Sequence, residues 1–219
     1  MKKKLALLCS LSLVAFAATP SIAVADGHVS NSPAIWTWMV GVEPAGMTKL
    51  VRSRNGLTAQ FKTTGLTAGH AVTLWIMFYN NPEACGVDGP NPGVCTPADI
   101  PNPATGFDFH YAGGHIVNDS KTTLTGHVRV GEMSTSGWAE LGVPSATPLL
   151  NPMGAQVILA IHSHGPTQRG RNLAAQLGSY TGGCDFPFLG DDAGFALGSS
   201  DVPDEERECS TIQLAFHNP

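Results

Sequence analysis

Residues 71–79 read Ala-Val-Thr-Leu-Trp-Ile-Met-Phe-Tyr, a run in which Thr73 alone stands outside the apolar and aromatic set. Nine residues are far too few to cross a bilayer as a helix, which needs about 20. The run is rich in β-branched and aromatic side chains, and it does not alternate. That pattern predicts a central strand covered on both faces. Upstream, Lys49 to Arg54 and Leu57 to Thr63 flank Asn55-Gly56, a pair that tolerates the positive φ angles of a type I′ hairpin turn. Downstream, a Pro-rich stretch from Asn80 to Thr105 precedes further strand patterns at Phe107–Ala112, His115–Val117, Lys121–Val130 and Ala155–His164. Gly113-Gly114 marks a turn or bulge. Asn172 to Leu177 suits one helical turn, and Cys209 to His217 closes the chain as a strand.

Strands at this spacing without alternating helices predict an all-β chain: a single antiparallel β-sandwich, Greek-key or immunoglobulin-like, with long disulfide-pinned loops. The 25 Gly and 16 Pro fit a turn-rich β protein, and 13% charged residues argue against coiled coils and charged disorder.

The amino terminus sets the expected compartment. Lys2-Lys3-Lys4, an apolar stretch from Leu5 to Ala18 and Ala23-Val24-Ala25 make the three parts of a secretory signal with an A-x-A cleavage site. The expected domains are a signal peptide over 1–25 and one β domain over 26–219. The product is then secreted, periplasmic or extracellular, with no membrane anchor. Cleavage leaves nine Lys and Arg against 17 Asp and Glu, a net charge of −8, with much of the acidity between Asp185 and Glu208. Such a balance offers no basic footprint for nucleic acid or anionic lipid.

Cleavage also removes Cys9 and leaves Cys85, Cys95, Cys184 and Cys209. An even count in a secreted chain reads as disulfides. Cys85–Cys95 and Cys184–Cys209 are the favoured pairs among three connectivities, because each brackets a loop that lacks periodic hydrophobics. A Cys-ligated metal would call for a C-x-x-C pair, which the chain does not contain.

Alternation along the strands gathers histidines on faces opposite the apolar positions. Leu124, Val128 and Val130 oppose Thr123, Thr125, His127 and Arg129. Phe107, Phe109 and Tyr111 oppose Asp108 and His110. Ile212, Leu214 and Phe216 face one way, and Thr211, Gln213, Ala215 and His217 face the other. Val157, Leu159 and Ile161 form a core face opposite Ile158, Ala160, His162 and His164.

His162-Ser163-His164-Gly165-Pro166 is the most specific local feature. Two histidines at i and i+2 point to one side of a strand about 7 Å apart, and both can ligate one Cu or Zn ion. His127 and His115 are the candidate further ligands, with Asp119 as a carboxylate option. The competing reading is a pair of histidines hydrogen-bonded to their neighbours. Ser163 points away from both, so it forms no Ser-His pair. Glu132 and Glu140 are loop acids, and no G-x-S-x-G, H-E-x-x-H or P-loop is present. Trp75 belongs in the core, while Trp36 and Trp38 share a face on Ile35–Val40 and suit either a ring ligand or the edge of the fold.

The set Leu74-Trp75, Asn80-Asn81-Pro82-Glu83-Ala84-Cys85, Gly114-His115, Gly126-His127 and His162 to Pro166 resembles a group of uncharacterised secreted bacterial β-sandwich proteins. The H-x-H-G-P segment followed by Leu173 to Leu177 is loosely similar to CHRD domains, β-rich modules of chordin and of secreted bacterial proteins, although Gly165 follows His164 directly here. These resemblances imply a β fold and no particular chemistry. The expected function is a secreted, disulfide-stabilised module with a non-catalytic binding role toward a protein, glycan or surface ligand. The alternative is a divalent-metal protein using the histidine-bearing face, with a redox or metal-carrier role.

Overall fold

In the computed structural model the described residues are 27–36, 44–86, 93–134, 147–183 and 210–219. The expected signal peptide, the Cys184–Cys209 pair, Trp38 and Glu140 lie outside them. Among the described residues eight strands carry the fold: β1 (His28–Trp36), β2 (Gly46–Ser53), β3 (Gly56–Thr64), β4 (His70–Tyr79), β5 (Phe107–Ile116), β6 (Lys121–Arg129), β7 (Gln156–Pro166) and β8 (Ser210–His217). One short helix, α1 (Arg171–Gln176), follows β7.

Every pairing is antiparallel, and the strands run in one order, β5-β4-β7-β8-β1-β2-β3-β6. The all-β antiparallel expectation is met. A sandwich is not shown, because the hydrogen-bonded order is continuous and nearly closes into a barrel. β1 makes the join: it pairs with β2 through His28–Ala34 and with β8 at Ile35 and Trp36. The end strands β5 and β6 meet at a seam, where a methyl group on Gly126 would lie 2.2 Å from Cβ of Ala112.

β1 has no counterpart in the sequence reading over residues 28–34, because its pattern is polar and Pro33 interrupts it. Pro33 is tolerated there because β1 is paired only with β2 at that level, which leaves one side free of a ladder. The hairpin forms as expected, but one residue early. Ser53 pairs with Gly56, so Arg54 and Asn55 make the two-residue loop. Gly56 serves a different need, since a Cβ there would stand 2.1 Å from the Val128 carbonyl of β6.

The two halves of the wall differ. Leu50, Leu57, Phe61, Leu124 and Val128 face the interior of the β1-β2-β3-β6 half and alternate with exposed residues. In β4, β7 and β8 both faces are largely buried, and β4 is apolar without a break from Leu74 to Tyr79. Val72, Leu74, Ile76 and Phe78 fill the barrel, while Trp75, Met77 and Tyr79 join an outer cluster with Phe107, Phe109, Ile158, Tyr180 and Leu214. The Asn80–Thr105 loop covers part of that outer cluster. It is pinned by the Cys85–Cys95 disulfide, as expected, and by Gln156, which accepts from Cys95 N–H at 2.9 Å and donates to its carbonyl at 2.8 Å.

One strand changes phase part-way: Ile212 packs in the interior, and the residues after it are turned over, so Ile212, Leu214 and Phe216 do not share a face. Leu214 and Phe216 join the outer cluster, whereas Ala215 packs in the interior. Gln213 accepts from the Thr63 hydroxyl inside the barrel. A register shift explains the reversal: Ile161 pairs with Gln213 but His162 pairs with Thr211, so Ile212 is an extra residue.

Candidate functional site

His162 and His164 do share a face with Ile158 and Ala160, but that face is dry. Both are buried, at 0% and 1% exposure. β7 presents them, β4 supplies Thr73 and Trp75, β8 supplies Thr211, and the segment after α1 brings Tyr180 and Gly182 over the top. Gln176 of α1 holds that segment by donating to the carbonyls of His164 and Pro166, each at 3.0 Å.

The hydrogen bonds around His164 fix its tautomer. Nδ1 lies 2.9 Å from the Gly182 carbonyl, which can only accept, so Nδ1 carries the proton. Nε2, 3.0 Å from Thr73 Oγ1, then accepts the hydroxyl proton. Trp75 Nε1–H in turn donates to Thr73 Oγ1 at 2.8 Å. The relay runs in one direction from indole to hydroxyl to imidazole to carbonyl, and it uses both ring nitrogens of His164.

His162 differs. Its ring packs against His164 with centroids 5.0 Å apart and against Tyr180 at 4.1 Å. Nδ1 is 3.5 Å from Thr211 Oγ1, and Nε2 is buried without a hydrogen-bond partner among the described residues. The Tyr180 hydroxyl lies 3.0 Å from the same Thr211 oxygen. Burial, and then the neighbouring His164, holds His162 well below the ordinary histidine range, while burial pushes His164 down to about 4. Both rings are therefore neutral at pH 7. Burial likewise raises the Tyr180 phenol.

The remaining candidate ligands lie elsewhere. His127 is exposed on β6 and lies 3.0 Å from Thr58 Oγ1. His115 pairs with Val72, an interior residue, whereas His162 pairs with Thr73 on the other face. Asp119 sits in the β5–β6 turn, where Oδ1 accepts from Lys121 N–H. The four-histidine set is thus not assembled, and among the described residues no group of three or more His, Cys, Asp and Glu could hold a metal ion. The spread follows from register: strand alternation tells which histidines oppose the local core, but not which side of the barrel that core occupies. Ser163 is buried and accepts from Gly165 N–H. Glu132 accepts from the Arg129 N–H. Trp75 is fully buried in the outer cluster, and Trp36 is buried in the inner one.

Two further polar constellations stand apart from the predicted histidine set. Asp108 Oδ2 lies 3.1 Å from His110 Nε2 in a buried pair, with Phe109 N–H on Oδ1. The D-x-H spacing was the available signal, since i and i+2 share a strand face. At one end of the barrel, Arg52 is fully buried and donates to the carbonyls of Pro152, Ala155, His217 and Asn218 at 2.6–3.1 Å. Burial lowers its guanidinium to about 10. Next to it, Thr48 donates to Ser32 O, so His217 Nε2–H donates to Thr48 Oγ1 and Nδ1 accepts from Ser30. Nothing in the sequence signals a buried arginine at that position.

No family model matches the chain, and neither the curated proteins nor the solved structures contain a significant match.

Proposed function

We propose that the chain is an exported, disulfide-stabilised β module with a non-catalytic binding role, and that His162 and His164 are clamps rather than ligands. The observation that carries this reading is the use of both His164 nitrogens, by Thr73 and by Gly182, in a closed relay. A metal on either nitrogen would have to break a buried hydrogen bond, to Thr73 or to Gly182, at a cost of about 1–3 kcal/mol. The expected signal sequence and the Cys85–Cys95 bridge support an oxidising destination.

A divalent-metal role keeps one observation in its favour, the buried Nε2 of His162, which has no partner among the described residues. Elemental analysis and calorimetric titration with Cu and Zn separate the two readings, using oxidised protein purified without chelator or immobilised nickel. The expected result is no stoichiometric uptake. One equivalent of Cu or Zn, lost in the His162→Ala/His164→Ala double variant, would replace the clamp reading with the metal one. Mass spectrometry of the exported protein should give an amino terminus at Asp26, and retention of residues 1–25 would remove the export part.

A further inference from the structure

The summed charge of the chain hides a segregation that the strand register makes visible. No Asp or Glu occurs in β1, β2, β3 or β6, although the whole chain carries 17. On the exposed face of that half stand Lys49, Lys62 and Lys121. Lys49 pairs with Gln60, and Met47 with Lys62, so Lys49 and Lys62 are diagonal neighbours. Lys62 pairs with Thr123, and Thr64 with Lys121, so Lys62 and Lys121 are diagonal neighbours as well. Diagonal positions on adjacent strands lie about 7–8 Å apart. The three ammonium groups therefore line up obliquely across β2, β3 and β6 over about 16 Å, from strand rise and spacing. None has an ion pair among the described residues. The nearest described carboxylate in sequence, Asp119, caps the Lys121 N–H.

Asn31, Gln60, Thr58, Thr123 and Thr125 surround the stripe with amides and hydroxyls. These groups donate and accept, as sugar hydroxyls require. The face carries no Trp, Tyr or Phe among its exposed positions, and so lacks the stacking platform with which proteins hold unpaired bases.

We infer that the outer face of β1-β2-β3-β6 is a docking surface for a linear carboxylated polysaccharide, with Lys49, Lys62 and Lys121 meeting its carboxylates. The inference rests on the binding-module reading and supplies its ligand class. Electrostatic complementarity on a flat, solvated face gives modest, salt-sensitive affinity, because screening acts over about 8 Å at physiological ionic strength.

The test is a titration of the mature, oxidised protein with polygalacturonate at low and high salt. Neutral dextran and a single-stranded DNA oligonucleotide serve as comparators. The Lys49→Gln/Lys62→Gln/Lys121→Gln variant should lose at least tenfold in affinity while keeping its circular dichroism and its melting temperature. Arg169→Gln/Arg171→Gln, at the start of α1, should bind like the parent. Raising salt should weaken the parent more than the triple variant. Absence of polygalacturonate binding by the parent overturns the inference, and so does equal binding by the triple variant. Oligonucleotide binding as tight as polygalacturonate binding, lost in the same variant, would replace the glycan with a nucleic acid. The metal titration reads the histidines and this one reads the lysines, so the two proposals can fail separately.

Discussion

The imidazole of His162 lies against the phenol ring of Tyr180, centroids 4.1 Å apart, so the first histidine of the H-x-H pair is roofed by a side chain 18 residues further along. The second histidine binds that same roof through Gly182. Together they make the segment after α1 part of the outer cluster.

Removing the clamp should therefore cost stability. His164→Ala removes the acceptor of the Thr73 hydroxyl and the ring donor to the Gly182 carbonyl, and opens a cavity. The expected loss is about 2–4 kcal/mol in urea unfolding. Proteolysis near residues 180–183 should quicken in parallel. A change below about 0.5 kcal/mol would mean that the relay holds nothing.

The pH dependence has a definite sign. His164 and His217 titrate near 4 in the folded protein against an ordinary value of 6.5, with burial the main cause in each, and His162 is lowered too. Between about pH 6.5 and 4 the unfolded chain binds more protons than the native one, so stability rises with pH across that window. Stability should be level above pH 7 and fall on acidification, by up to about 1.4 kcal/mol per pH unit for each histidine. Unfolding free energies measured from pH 7.5 to 4 would show this, and a flat profile would contradict it.

Arg52 is a buried cation whose described partners are four carbonyls and no carboxylate. Its planar fork ties β2 to the entry of β7 and the exit of β8. Arg52→Lys keeps the charge but loses the fork, and should destabilise by about 2–4 kcal/mol. Equal stability of the lysine variant in denaturant melts would show that charge alone suffices.

Cys85 and Cys95 are both essentially inaccessible. Their bridge should resist mild reductant in the native state and become alkylatable only on unfolding, as read by mass shift. Replacing both with serine should cost about 2–3 kcal/mol in the chain-entropy picture.

The seam offers a test of closure. A methyl group at Gly126 would meet Ala112 and Ile76, so Gly126→Ala should cost about 1–3 kcal/mol through overpacking. Pairing it with Ala112→Gly should recover much of that loss, as a double-mutant cycle in denaturant would report.

Much of this architecture was legible because β4 is apolar on both faces and β6 alternates cleanly. The reversal in β8 was not legible, because an extra residue at Ile212 shifts the phase and both faces of that strand are largely buried. Gln213 looks like a solvent residue and instead bonds Thr63 in the interior. His162 and His164 were rightly placed on one face. That the face is dry depends on Tyr180 and Gly182, a long-range packing event that no local pattern encodes. The lysine stripe was hidden for a similar reason, since net charge sums over residues that register separates.

Everywhere else in the wall each strand is bonded to a neighbour on both sides over at least part of its length, but β5 and β6 occupy the ends of the strand order and meet by side-chain packing at Gly126 and Ala112. Amide groups along those two edges have no ladder across the seam to shield them. In deuterium exchange the label should enter first along this line and last in β4 and β7, which makes the join between consecutive strands the place where the barrel begins to breathe.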